Sequence, residues 1–274
     1  MTNDLPALPP VYENPYDRAR IDADGATKLY RFAVGNPDVA RHLSTLSPPS
    51  TKLEAYFRLF GIPYEVVPVQ GTEDAPRGKV PYILAGDVKL TDSDLIIGYL
   101  KRTQADPDAG LSAAQWATGH LVQRMLEDHL YWIVIYYEFC DDAGWDFLLR
   151  ASVGDPSVLP PAVIDAFDAI RADRARRCYD QGIARYTPEE IVEKARKDLL
   201  ALSEVLGDND YLLGTEQPTS FDAMVVGMTL GLFQARAMHP EISDIARGLP
   251  NLSRYMHRML AAAFPDLEPA FDPA

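Results

Sequence analysis

Residues 78–94 read GKVPYILAGDVKLTDSD, and the way this stretch folds decides the architecture. Pro81 stands between a polar loop and the short apolar run Tyr82-Ile83-Leu84. Ala85-Gly86-Asp87 supplies a tight turn, and Val88-Lys89-Leu90 returns as a second strand. Thr91-Asp92-Ser93-Asp94 then places helix-start residues ahead of Leu95, Ile96, Tyr99 and Leu100, which recur at helical spacing. A hairpin followed at once by a helix is the prediction.

Upstream, Lys28 to Val34 (KLYRFAV) alternates aromatic and branched residues as a strand does, and a polar connection from Gly35 to Leu46 leads to Ser47-Pro48-Pro49-Ser50. The proline pair marks a helix entry. Leu53, Tyr56, Phe57 and Phe60 continue that helix until Gly61 stops it. Tyr64 to Val69 (YEVVPV) is a strand whose proline predicts a sheet edge. A helix joining the first two strands makes them parallel and the later hairpin antiparallel, so residues 27–105 read as one compact α/β unit with a mixed sheet.

Asp106 to Gly110 reads as a linker, and residues 111–266 as an all-helical domain. Its helices are predicted over Ser112 to Phe139, Pro161 to Gln181, Pro188 to about Gly207 behind a capping box at Thr187, Ser220 to Phe233 behind Thr219, and Leu252 to Phe264. Residues 1–26 read as a tail. Their Pro- and Asp-rich composition, with no apolar segment behind a basic start, argues against a secretory signal.

The 274 residues are 47% hydrophobic, enough for a real core, and 26 Lys+Arg against 40 Asp+Glu leave a formal charge of −14. Such a surface repels a phosphate backbone, so no nucleic-acid partner is expected. The longest apolar stretch, Leu130 to Phe139, is about half the ~20 residues a membrane-spanning helix needs. Only Cys140 and Cys178 are present, without a CxxC motif or a Cys/His cluster at metal spacing. No metal is expected, and a reducing, cytoplasmic compartment fits best.

The chemistry-bearing positions cluster around the opening stretch. If the Val80-Pro81 bond is cis, as in a thioredoxin-like unit, the Val80 backbone turns toward a ligand like an open sheet edge, beside Lys79. The helix start at Ser93 offers N–H groups and a hydroxyl to a carboxylate, and the Asp92 side chain suits an ammonium. The alternative is a trans strand entry and a serine or threonine that merely caps its own helix. On the long helix, His129, Tyr131 and Trp132 are candidates for a substrate pocket, with aromatic core packing as the plainer reading. Arg124 and Asp128 are spaced for an ordinary ion pair. Arg171, Arg174, Arg176, Arg177 and Arg185 form a basic run, expected to be solvated or paired within the chain.

From Leu29 to Leu260 the chain resembles the glutathione transferase superfamily, within it the branch of failed-axon-connections and metaxin proteins. The resemblance is carried by Leu29-Tyr30-Arg31-Phe32, Ser47-Pro48-Pro49-Ser50-Thr51-Lys52-Leu53-Glu54, Gly61-Ile62-Pro63-Tyr64, Gly78-Lys79-Val80-Pro81-Tyr82-Ile83, Leu126 to Trp132, Gln181 to Arg185 with Pro188 to Ile191, and Pro218 to Asp222. It implies a thioredoxin-like domain followed by an all-helical one, glutathione as cosubstrate, a small-molecule electrophile and a homodimer. Members of the branch usually look like Ser-Pro-Phe-Cys where this chain reads Ser47-Pro48-Pro49-Ser50. Serine cannot form a mixed disulfide, so hydrogen bonding to a bound thiolate is what remains, from Ser50 or else Ser47 or Thr51. Two functions stay open: a transferase using the glutathione thiolate for conjugation, lysis or isomerisation, and a non-catalytic binding or assembly module that keeps the fold.

Overall fold

The computed structural model describes residues 27–273; the tail read at residues 1–26 lies outside them. Strand β1 (Thr27–Phe32) is followed by a single turn, α1 (Pro37–Ala40), and then α2 (Pro48–Leu59), β2 (Tyr64–Val69), β3 (Tyr82–Ala85), β4 (Val88–Thr91) and α3 (Ser93–Thr103). The sheet order is β2-β1-β3-β4, with β1 and β2 parallel and both other pairings antiparallel. Pro68 therefore lies on an edge strand, where its missing N–H costs no ladder bond. Leu29, Leu53, Phe57, Ile83, Leu90, Ile96 and Leu100 are fully buried and make the core between sheet and helices.

The second layer is helical: α4 (Ala113–Met125), α5 (Tyr131–Phe139), α6 (Asp142–Val153), α7 (Pro161–Gln181), α8 (Pro188–Leu206), α9 (Ser220–Gln234), α10 (Pro240–Arg247) and α11 (Pro250–Ala263). The long helix expected from Ser112 to Phe139 is present as α4 and α5 with a π turn, Leu126–Leu130, between them. Three helices were not predicted: the single turn α1, within the connection read from Gly35 to Leu46, then α6 and the short α10.

α9 is the centre of the molecule. It is apolar on every side, so it is buried on every side. Asp222, itself fully buried, accepts hydrogen bonds from the Thr219 N–H (2.7 Å), the Thr219 hydroxyl (2.9 Å), the Leu212 N–H (2.8 Å) and the Tyr255 hydroxyl (2.9 Å). These satisfy the helix start and fix α11 to it. α2 lies across α9 at Gly227, where a Cβ would sit 2.6 Å from the Lys52 amide nitrogen and closer still to the Lys52 Cα and Cβ. Only glycine allows the two backbones to approach so closely. The predicted linker adds a second tie: the buried Asp108 accepts from the Ser220 N–H (2.8 Å) and hydroxyl (2.6 Å) and pairs with Lys101.

Candidate functional site

The strand register brings the expected site residues to one corner. Tyr30 pairs with Tyr82, and Tyr82 with Thr91. The C-terminal end of β1, the start of β3 and the end of β4 are thus side by side, with Val80-Pro81 just before β3 and Asp92-Ser93 just after β4. The Val80-Pro81 peptide bond is cis. Tyr30 and Tyr82 stack at 4.4 Å beneath this corner. α2 leaves the same end of the sheet, and its N-terminal half meets the first turn of α3, Lys52 Nζ lying 3.5 Å from Asp94 Oδ1.

At the start of α3, Asp92 holds φ at +76°, a region that L side chains rarely occupy. Its carboxylate oxygen Oδ1 caps the helix, accepting from the Asp94 (3.1 Å) and Leu95 (3.2 Å) N–H groups. The Ser93 N–H and hydroxyl are left without a partner among the described residues. Asp92 therefore has one oxygen, Oδ2, to give an ammonium, and Ser93 is the group open to a carboxylate.

At the start of α2 the two prolines remove donors. Pro48 and Pro49 have no N–H, and the Thr51 N–H bonds to the Ser47 carbonyl at 2.9 Å. Ser50 keeps the one remaining free N–H of the first turn. The two serine hydroxyls differ sharply. Ser50 Oγ is completely buried and has no hydrogen-bond partner, whereas the Ser47 hydroxyl is partly exposed and makes no capping bond. Thr51 spends its hydroxyl on the Ser47 carbonyl at 3.3 Å.

A polar network that the sequence reading did not assemble lies beside this corner. Lys52, 2% exposed, donates to Glu127 Oε1 at 2.5 Å, and Gln123 Nε2 joins Asp94 Oδ1 (2.7 Å) to Glu127 Oε2 (3.0 Å). Arg124 closes the far side on Glu127 and on Asp128, the latter at 3.2 Å as its spacing predicted. Burial works to raise the Asp94 carboxyl, but Lys52, Gln123 and Arg124 outweigh it and hold it below the ordinary aspartate range. A cleft of about 600 Å³ opens beside this network between α3 and α4, its walls including Arg77, Lys101, Trp116, His120 and Phe221.

The three candidates from the long helix lie elsewhere. His129 Nδ1 is 2.6 Å from Asp198 Oδ2 on α8, and the ring is 39% exposed, so it is neither a core histidine nor a wall of the cleft. Tyr131 is turned to α7, beside Arg174 and Cys178, and burial pushes its phenol up to about 12. Trp132 packs edge-on against it at 5.9 Å. Val134 and Glu138 instead face α2, lining a cavity of about 20 Å³ with Thr45, Pro48, Thr51 and His239. The arginine run is mostly paired within the chain, Arg171 with Asp142 (2.6 Å), Arg176 with Asp180 (2.9 Å) and Arg177 with Asp173 (2.7 Å).

The loop from Gly35 to Leu46 is held as a wall rather than left free. Arg31 donates to the Ser44 carbonyl (2.6 Å), Gly35 and Asn36 donate to the Ala151 carbonyl (3.0 Å each), and Gln234 donates to the His42 carbonyl (3.0 Å). Arg31 Nε also lies 3.0 Å from Glu54 Oε2, an ion pair whose N–H is misaligned for a hydrogen bond.

A small mixed sheet with a cis-proline corner, followed by helices packed around a capped central one, defines a class. The family model "Glutathione S-transferase N-terminal domain" matches residues 48–144, and "Glutathione S-transferase, C-terminal domain" matches residues 195–259. The chain is 34% identical over 236 residues to an isoprene-epoxide–glutathione S-transferase of Rhodococcus sp. (strain AD45), covering 84% of this chain and 95% of that one. It is 30% identical to Failed axon connections of Drosophila melanogaster, covering 82% of this chain and 56% of that one, and 25% identical to Metaxin-2 of Homo sapiens, covering 79% and 82%. A solved glutathione S-transferase of Ceriporiopsis subvermispora, in complex with glutathione, superposes with a TM-score of 0.56 at 17% identity, covering 90% of this chain and 100% of that one. The chain belongs to the glutathione S-transferase superfamily. Within it, the chain falls in the branch that includes the failed-axon-connections and metaxin proteins.

Proposed function

We propose that the chain binds reduced glutathione at the corner between α2, Val80-Pro81 and α3, and directs its thiolate onto a small epoxide. The observation that carries this reading is the register Tyr30–Tyr82–Thr91, which sets a cis-proline edge beside a helix start whose Ser93 N–H and hydroxyl are unclaimed. The α-carboxylate of the tripeptide's γ-glutamyl residue takes Ser93, its ammonium takes Asp92 Oδ2, and its backbone lies along Val80, with Lys79 and Arg77 at the rim. The relative's name supplies the electrophile class.

Ser47, the part-exposed serine at the α2 start, donates its hydroxyl to the sulfur. Donation to the charged form lowers the thiol's pKa, so more of it is thiolate at neutral pH. The thiol proton leaves to solvent. The sulfur then forms a bond to an epoxide carbon as the carbon–oxygen bond breaks, and the alkoxide takes a proton from water. Ser50 Oγ, sealed from solvent, backs the helix start.

A specific observation favours the second reading, a binding or assembly module. The Pro48-Pro49 pair strips the α2 start of two N–H donors, so little stabilisation remains for a thiolate. Incubation with glutathione and a small terminal epoxide, followed by mass detection of the conjugate, separates the two. The transferase reading expects turnover that falls about 10²-fold in Ser47→Ala and much less in Ser50→Ala. No conjugate with glutathione demonstrably bound leaves the assembly reading standing.

A further inference from the structure

One buried polar pair in the helical half is not used by the fold. Glu138, on α5, and His239, at the start of α10, are 3% and 1% exposed. Glu138 Oε1 and both ring nitrogens of His239 have no hydrogen-bond partner among the described residues. Oε1 and Nε2 stand 3.9 Å apart, too far to satisfy each other. An imidazole carries at least one N–H in any protonation state, so a donor and an acceptor are both left over, which buried side chains rarely tolerate.

Both side chains line the cavity of about 20 Å³ behind the start of α2, whose other walls include Thr45, Pro48 and Thr51. Thr45 and Thr51 also hold Ser47 from two sides. The Ser47 N–H donates to Thr45 Oγ1 at 3.4 Å, and the Thr51 hydroxyl donates to the Ser47 carbonyl at 3.3 Å. Leu46 and Pro48, the neighbours of Ser47, are the part of this wall that reaches solvent. The cavity therefore lies directly behind the hydroxyl assigned to the thiolate. Its volume decides the occupant: a water needs about 10–15 Å³ and at least two polar partners, which Glu138 Oε1 and His239 supply. An organic electrophile is too large to enter and must react at the mouth, beside Leu46 and Pro48.

We propose, resting on the transferase reading, that this cavity holds the water that protonates the epoxide oxygen, with Glu138 and His239 as its positioning residues. As the sulfur–carbon bond forms and the carbon–oxygen bond breaks, the water gives a proton to the alkoxide and takes the Glu138 carboxyl proton in return. The carboxylate is reprotonated from solvent, which has received the thiol proton. Glutathione and epoxide thus sum to the thioether alcohol, and no oxidant, reductant or further reactant is needed. Burial keeps this proton on Glu138 above the ordinary glutamate range, against the pull of His239 and Arg174.

Two measurements test this. Diffraction from crystals of the full chain is expected to show one ordered water within hydrogen-bond distance of Glu138 Oε1 and a ring nitrogen of His239. Steady-state conjugation is then compared for a small terminal epoxide, whose oxygen must gain a proton, and iodoethane, whose iodide leaves without one. Glu138→Gln keeps the shape and loses the acid proton, so kcat for the epoxide is expected to fall by about 10²-fold. Its KM for glutathione and its turnover of iodoethane are expected to stay at the wild-type level, whereas a purely structural role would slow both electrophiles together. His239→Asn is expected to show the same split and serves if the first variant does not fold. The inference is overturned if the cavity is dry or filled by a side chain, or if Glu138→Gln leaves kcat for the epoxide unchanged or slows both electrophiles equally. Wild type that makes no epoxide conjugate overturns the transferase reading, and this inference with it, whatever the cavity holds.

Discussion

Gly227→Ala is the perturbation that most directly probes how the two halves are joined. The added methyl carbon would sit 2.6 Å from the Lys52 amide nitrogen and nearer still to the Lys52 Cα, well inside the 3.4 Å at which ordinary contact begins. Neither obstacle is the end of a flexible side chain, so α2 and α9 must part by about 1 Å. Leu53, Ala55, Tyr56 and Phe57, all essentially buried on α2, lose packing together. Overpacking in a close-packed core costs about 1–3 kcal/mol, and a backbone obstacle belongs at or above the upper end, so about 3 kcal/mol is expected. For a chain of this size that lowers the thermal midpoint by roughly 6–12 °C. Gly231→Ala, one turn along the same helix, is the matched control. Its new methyl would meet nothing closer than His239 Cε1 at 4.0 Å, so helix propensity alone operates and stability should stay level or rise by up to about 1 kcal/mol. The comparison is read by circular dichroism melts of the two variants beside wild type. Equal midpoints for both variants would refute the claim that α2 and α9 touch backbone to backbone.

Asp222→Ala strands four donors that the carboxylate now satisfies, and should cost about 3–5 kcal/mol in a denaturant titration; a loss below about 1 kcal/mol would deny it that role. Lys52→Met leaves Glu127 and Asp94 without their buried cation and should destabilise by about 3–5 kcal/mol, with Lys52→Met/Glu127→Leu recovering much of the loss. If the double variant is worse than the single, the pair is not the reason for the cost. Burial lifts the Glu138 carboxyl above the ordinary glutamate range, against the pull of His239 and Arg174. The folded chain therefore holds this proton more tightly than the unfolded chain, and the stability this provides is full in acid and is lost as pH rises through the raised value. Glu138→Gln cannot ionise, so its midpoint relative to wild type should climb as pH rises above the ordinary glutamate value of about 4.3. A difference that stays flat as pH rises would show that the carboxyl is not raised.

Much of the fold was legible because the N-terminal half obeys simple periods. YEVVPV and the YIL–AGD–VKL hairpin alternate as strands do, and Pro68 on the edge strand followed from its missing N–H. Thr187 and Thr219 announced their helices with capping boxes that the structure forms. What was hidden depended on distant neighbours. The π turn at Leu126–Leu130 adds no pattern of its own, yet it stands where Glu127 meets Lys52, and His129 pairs with Asp198, sixty-nine positions away. At the site, residue types pointed to Ser50 and Ser47 together, but their inequality is a matter of burial, which composition does not encode. Asp92 was read as a ligand group, while its main commitment is to cap α3.

The central claim is best tested by calorimetric titration of reduced glutathione into the full chain, paired with a thermal melt at saturating ligand. The account predicts one saturable site per chain and, at a hundredfold excess over the dissociation constant, about 2.7 kcal/mol of added stability. Ser93→Ala should weaken the site by about tenfold or more, through loss of one charge-assisted hydrogen bond. No heat and no shift of the midpoint at millimolar glutathione, with the protein folded, would contradict it.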